Sequence, residues 1–283
     1  MKREHIYKFI NILVLIVAAL IFYKDYIKNL HIFANKNFIS IFLLVCSVLL
    51  VHSIKAARLY LALYGTNISS LAFVKEYCKV TPIGVIYPLK LGEFFRMYCY
   101  GREIKNQIRG TIIVLFDRFM DTFALVTIVL AVKFINGGTI SHVIYVLLLF
   151  LSLMIVLYYV CPGILVFWKH YLLQAKATEN KIKLLKFLET LHNVQDEIAD
   201  ITKGRGFLLY ILSLAAWSAE LRTVALVGDL AKNDANGAII NYLSSALGIG
   251  ESSELIQFIF TSVLLLFVVY IVISLYEKIL DKQ

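Results

Sequence analysis

The residues able to handle a charged ligand lie inside apolar sequence, in short runs. YPLKLGEFFR (87–96) sets Glu93 three residues before Arg96, close enough on a helix to pair or to flank one ligand. Pro88 in that run breaks any preceding helix and suits the first turn of a new one. LFDRFMD (115–121) supplies Asp117, Arg118 and Asp121. Asp117 and Asp121 share a helix face, and Arg118 reaches Asp121. AAWSAELRTVA (215–225) holds Glu220 and Arg222, which point roughly 200° apart on an ideal helix and so cannot pair with each other. Both are expected to face the interior, with Trp217 as an aromatic wall beside Glu220. In HSIKAARLYLALYG (52–65), His52, Lys55 and Arg58 recur every three residues along one side. They read either as cations snorkelling to the headgroup layer or, for Arg58, as the cytoplasmic mouth of a cavity. A last run, GIGESSE (248–254), contributes Glu251 in a second glycine–glutamate element.

Ionisable groups at membrane depth cost a few kcal/mol or more each, so they face a cavity and partner one another. Two chemistries fit. One is a charge-paired clamp tying the Glu93–Arg96 segment to the next helix. The other is a polar cavity for an anionic headgroup, with Arg96 and Arg118 as phosphate donors and the carboxylates orienting them. The two overlap, because a cavity without ligand still shows the clamp.

The sequence around these residues is mostly hydrocarbon. Of 283 residues, 60% are hydrophobic and 17% charged, with mean hydropathy +0.79. Soluble domains lie nearer half apolar and about a quarter charged. Several apolar runs approach the roughly 20 residues that span a bilayer as helix. They are continuous rather than alternating, so helices and not a barrel satisfy the backbone. The expected fold is all-α: a polytopic integral membrane protein of about six full spans plus two broken, re-entrant hairpins.

The net charge of +9 sits in segments between apolar runs, the pattern of cytoplasmic loops. No basic platform interleaved with aromatics is present, so a nucleic-acid partner is not expected. Cys46, Cys78, Cys99 and Cys161 are scattered without a CxxC pair and read as apolar packing. No metal or cofactor is expected.

The elements that must position the charges follow from the same pattern. Full spans are expected at about 6–23, 38–64, 111–134, 142–167, 207–227 and 255–276. The N-terminal run lacks a small-residue cleavage site and reads as a retained first span. The dense basic residues after the second span place both termini in the cytoplasm. INGGTIS (135–141) and VGDLAKNDANG (227–237) read as external connections. Within 171–203, Leu184, Phe187, Leu191, Val194, Ile198 and Ile201 form one apolar stripe on a cytoplasmic amphipathic helix.

Two segments resist assignment as plain spans. LAFVKEYCKVTPIGVIYPLKLGEFFRMY (71–98) is interrupted by Pro82, Gly84, Pro88 and Gly92, and AIINYLSSALGIGESSEL (238–255) by Gly248 and Gly250. Short apolar segments broken by Gly or Pro, in matching places of two halves, point to discontinuous helices of a transporter. A single transmembrane domain is therefore expected, with halves 1–135 and 140–283 as inverted copies.

These motifs carry a family resemblance. The ordered set is an Arg-led helix end (RLYLALYG, 58–65), PLKLGEFFR (88–96) and DRFMD (117–121), with GIGESSE as a looser late match. It resembles the transmembrane region of the lysylphosphatidylglycerol synthases, the flippase-like domain family. Asp117 stands where the family usually carries glutamate, and the second broken segment lacks the proline expected before its glycines. The resemblance implies a domain that moves a modified phospholipid or a lipid-linked molecule between leaflets of the cell (plasma or inner) membrane. No aminoacyl-transferase domain precedes Gln283, so lipid aminoacylation is not expected.

No Gly-x-Ser-x-Gly, P-loop, HExxH or His/Cys ligand spacing occurs, and no enzymatic activity is expected. The leading expectation is a translocator whose partner is a membrane phospholipid or a lipid-linked sugar. A different class remains open: a non-transporting partner or regulator of an envelope glycosyltransferase or lipid synthase.

Overall fold

A computed structural model describes residues 2–25, 27, 37–86, 91–136, 141–174, 178–232, 235–247 and 253–280. The described chain is all-helical: α1 (Lys2–Asp25), α2 (Phe38–Ala62), α3 (Ser70–Ile86), α4 (Leu91–Glu103) and α5 (Gln107–Asn136), then α6 (His142–Gln174), α7 (Glu179–Thr202), α8 (Gly206–Lys232), α9 (Ala235–Ala246) and α10 (Ser253–Leu280). No strand occurs among the described residues.

Four helices, α2, α6, α8 and α10, are long and apolar enough to cross a membrane. The remaining two expected spans are helices of a different character. In α1 the apolar stretch is shorter, Phe9–Lys24. Helix α5 has 30 residues, but Asp117, Arg118, Asp121 and Lys133 interrupt its apolar sequence. The stretch expected as an external connection at 227–237 is largely helical instead. Helix α8 runs on to Lys232 and α9 begins at Ala235.

The first broken segment folds as a helical hairpin, though its breakers act differently from expectation. Pro82 and Gly84 lie inside α3, which continues to Ile86. Proline removes one i→i−4 hydrogen bond, and here the rest of the turn holds the helix together. Gly84 and Gly92 instead permit contact. A Cβ on Gly92 would lie 2.5 Å from the Gly84 Cα, so α3 and α4 touch backbone to backbone. The same device recurs at the next crossing, where a Cβ on Gly110 would lie 2.4 Å from the Gly101 Cα and α5 closes on α4. Pro88, between α3 and α4, lies outside the described residues, as do Gly248, Gly250 and Glu251 of the second broken segment.

The amphipathic stripe expected over 171–203 splits between partners. Val194, Ile198 and Ile201 of α7 join the core beside α5, whereas Leu185, Leu188 and Leu191 pack on Leu165 and Leu172 of α6. Leu184 and Phe187 are exposed. Arg109 of α5 pairs with Glu197 at 3.5 Å and Asp200 at 3.4 Å, fastening α7 at its C-terminal half.

Packing joins the two sequence halves. Helix α2 lies along α8, α5 also packs on α8, and α10 packs on α3. The apolar core is divided in two along these helices. One cluster holds Leu59, Leu63, Ile113, Val114 and Leu209; the other holds Val48, Val51, Ala124, Val126, Trp217 and Val224. The buried or half-buried polar side chains of these helices lie between them: His52, Lys55 and Arg58 on α2, Asp117, Arg118 and Asp121 on α5, and Ser213 on α8. A charged layer thus lies sandwiched between two hydrocarbon cores.

Candidate functional site

At the centre of that layer is Arg58, 1% exposed. Its Nε donates to Asp117 Oδ1 at 2.7 Å and its Nη2 to Asp117 Oδ2 at 3.1 Å. Its Nη1 donates to Asp121 Oδ1 at 2.5 Å and to Ser213 Oγ at 3.0 Å. The planar guanidinium fork meets Asp117 with two parallel bonds, the geometry that makes Arg–carboxylate pairs strong. Arg58 therefore neither snorkels nor lines a cytoplasmic mouth. Two aspartates one turn apart on α5 draw it into the protein interior, where the pairing offsets part of the burial cost.

Arg96 and Arg118 are held more loosely around the same carboxylates. Arg96, 3% exposed, approaches Glu93 Oε2 and Asp117 Oδ2, each at 3.8 Å. Arg118 donates from Nη2 to Asp117 Oδ2 at 3.1 Å, while its Nε stands 3.6 Å from Glu93 and its Nη1 3.8 Å from Asp121. Separations of 3.6–3.8 Å are ion pairs without hydrogen bonds. The expected Glu93–Arg96 and Arg118–Asp121 neighbours thus meet, but slackly.

Beside them opens a cavity of about 100 Å³. Its walls come from α2, α3, α4, α5 and α10, with Tyr77, Thr81, Glu93, Arg96, Arg118 and Ser262 among them. His52 and Lys55 complete the polar lining, and Phe258 the apolar side. Six buried polar atoms of the lining residues have no hydrogen-bond partner among the described residues: His52 Nε2, Thr81 Oγ1, Glu93 Oε2, Arg96 Nε, Arg118 Nε and Ser262 Oγ. Buried polar groups are nearly always satisfied, so their concentration around one void marks a place where a polar guest belongs. The volume falls below the roughly 300–1,000 Å³ of pockets that enclose whole drug-sized ligands, and suits one small polar group.

Glu220, 4% exposed, faces the interior as expected and connects the layer to α9. It accepts from Lys55 Nζ at 2.5 Å and from the Tyr242 hydroxyl. Trp217 forms the expected wall, with Lys55 Nζ 5.7 Å from its ring centre and its Nε1 donating to the Asp121 carbonyl at 3.2 Å. Arg222 does not face inward. Its side chain is exposed, because the roughly 200° separation that forbids pairing with Glu220 turns one of the two outward. Glu251 lies outside the described residues.

Several site residues carried weak signals in the sequence. His52 and Lys55 are visible as a three-residue recurrence, yet the same recurrence describes snorkelling cations. Ser213, Thr81 and Ser262 are isolated or paired hydroxyls in apolar helices and give no signal. Tyr242 is one of 17 tyrosines, and its role follows only from α9 meeting α8. No family model, curated protein or solved structure matches this chain.

Proposed function

We propose that this protein is a lipid translocator of the flippase-like type, which holds an anionic headgroup in the polar cavity and moves it between leaflets. The observation that carries this reading is the set of six unpartnered polar atoms around one cavity, with Arg96 Nε and Arg118 Nε among them. Two guanidinium groups with free N–H donors in a low-dielectric void provide a phosphate site. Oxygens of a phosphodiester replace the slack contacts to Glu93 while the Arg58 clamp stays intact.

Other features agree. In this reading the α3–α4 hairpin and the short helix α9 are the matching broken segments of an inverted repeat, as in transporters whose broken helices meet at mid-membrane. In this reading six spans and two re-entrant segments form one domain in the cell membrane, with both termini cytoplasmic and rocking of the halves exposing the cavity alternately. The motif resemblance to the lysylphosphatidylglycerol synthase transmembrane region supports the same class of substrate, a phospholipid or a lipid-linked sugar.

A second reading, a non-transporting partner of an envelope enzyme, is favoured by one observation: Leu184 and Phe187 of α7 and Trp168 and Tyr171 of α6, two helices that pack together, are all exposed. Reconstitution separates the two. Purified protein in liposomes is expected to move a fluorescent anionic phospholipid faster than empty liposomes do, and Arg96→Ala or Arg118→Ala to lower that rate at least tenfold. Unchanged rates in both variants, with loss on Leu184→Ser and Phe187→Ser, establish the partner reading instead.

A further inference from the structure

We propose that anion binding in this cavity is proton-coupled: one proton enters with each anion and is carried by Glu93. The inference rests on the anionic-headgroup reading and adds the co-substrate that accompanies it.

The charge of the layer is its starting point. Its cations are Lys55, Arg58, Arg96 and Arg118; its carboxylates are Glu93, Asp117, Asp121 and Glu220. These balance, so the layer as a whole is neutral without an anion. Adding a monoanion leaves one uncompensated charge between two apolar cores, which costs far more than in water. A carboxylate that loses its partners in such a place neutralises by taking a proton.

Geometry selects which carboxylate. Asp117 and Asp121 also meet Arg118, and Asp117 meets Arg96, but each keeps a hydrogen bond from Arg58 of 2.7 Å or less when those arginines turn to the anion. Glu220 keeps Lys55 and Tyr242. Glu93 differs, because its Oε2 has no hydrogen-bond partner and its cations stand 3.6 and 3.8 Å away. Those cations are the same two arginines that the anion must recruit. Anion and Glu93 carboxylate therefore compete for Arg96 and Arg118, and protonation of Glu93 resolves the competition in favour of the anion.

The groups facing Glu93 are Arg96 on its own helix, Arg118 with Asp117 behind it on α5, His52 and Lys55 on α2, and Tyr77 on α3. On α10 the lining is Phe258, Ile259 and Ser262, without a titratable group. His52 Nδ1 lies 3.2 Å from the Tyr77 hydroxyl, so its Nε2 is the edge turned to the cavity. The exchange is balanced: an O–H bond forms on Glu93 with a proton from water, two ion pairs to Glu93 open, and two arginine–phosphate contacts close. No bond in the ligand breaks.

Titration calorimetry on the full chain in detergent tests this, in two buffers of different ionisation heat. The probes are dihexanoylphosphatidylglycerol and diethyl phosphate, both monoanionic diesters that do not titrate near neutral pH. Wild type is expected to take up about one proton per anion, with affinity falling about tenfold per pH unit, as linkage requires. Glu93→Gln is expected to bind at least as tightly as wild type, without proton uptake and without pH dependence. At least tenfold preference for the lipid over diethyl phosphate is expected.

Binding by wild type without proton uptake overturns the coupling and leaves the headgroup reading standing. Equal uptake in Glu93→Gln overturns the assignment to Glu93, and sodium dependence in place of uptake overturns the proton. Failure of wild type to bind either probe removes the headgroup reading and this inference together. Equal affinity for the two probes overturns the lipid as the source of the anion. The wild-type proton count needs no variant, so misfolding of Glu93→Gln does not rescue the proposal.

Discussion

Arg58 and Arg96 are both buried beside Asp117, yet they are held in opposite ways. Arg58 makes four hydrogen bonds, to Asp117, Asp121 and Ser213, and is not among the residues that line the cavity. Arg96 makes two contacts of 3.8 Å, has an unpartnered Nε and lines a void. Residue type and depth are the same, so the number of closed hydrogen bonds separates a structural arginine from an available one. A fully satisfied guanidinium resists exchange of its partners, whereas a slack one exchanges a long ion pair for a better ligand at little cost.

The sharpest way to break the comparison is at the clamp. Asp117→Ala strands Arg58 without its bidentate partner and is expected to destabilise the protein by about 3–5 kcal/mol, read as loss of folded protein or a large fall in Tm in detergent. A Tm within a degree of wild type would place Arg58 in the same loose class as Arg96. Next in size is Tyr242→Phe, which removes a hydroxyl donor from buried Glu220 while Lys55 remains. Its expected cost is about 1.5–3 kcal/mol, the range for a hydrogen bond to a charged group, measured by the same melts.

Arg96→Ala tests the other side. Only long contacts are lost, so its stability cost is expected to stay near 1 kcal/mol or below, while lipid movement in liposomes falls at least tenfold. A melt as damaged as that of Asp117→Ala would reduce the cavity arginines to a second clamp. The smallest effect is expected on α7, where Phe187→Ser changes an exposed side chain and shifts stability by less than about 0.5 kcal/mol.

Much of this organisation is legible along the chain. The apolar runs yield α2, α6, α8 and α10, with α2 near its observed bounds and the other three running on past their expected C-terminal ends, since a 20-residue hydrocarbon run has few alternatives to a helix. Asp117, Arg118 and Asp121 are legible as a cluster because α5 alone fixes their faces. The Pro82 and Gly84 breaks are misleading for a physical reason. A small residue suits a helix end and a close helix contact equally well, and here Gly84 serves the contact with Gly92.

By itself the sequence determined a helical chain of membrane character, read as six spans of which four are helices long and apolar enough to cross a membrane, and charges placed where hydrocarbon makes them costly. Helical periodicity and desolvation are local, so they act on any chain with this order of residues. Only the tertiary structure decided which charges meet. It set Arg58 rather than Arg96 into the closed clamp, gave Glu220 to Lys55 and Tyr242 while Arg222 turned outward, and gathered six unpartnered polar atoms from five helices around one void. Those pairings depend on how α2, α5 and α8 pack across long sequence separations, which helical periodicity within one segment does not encode.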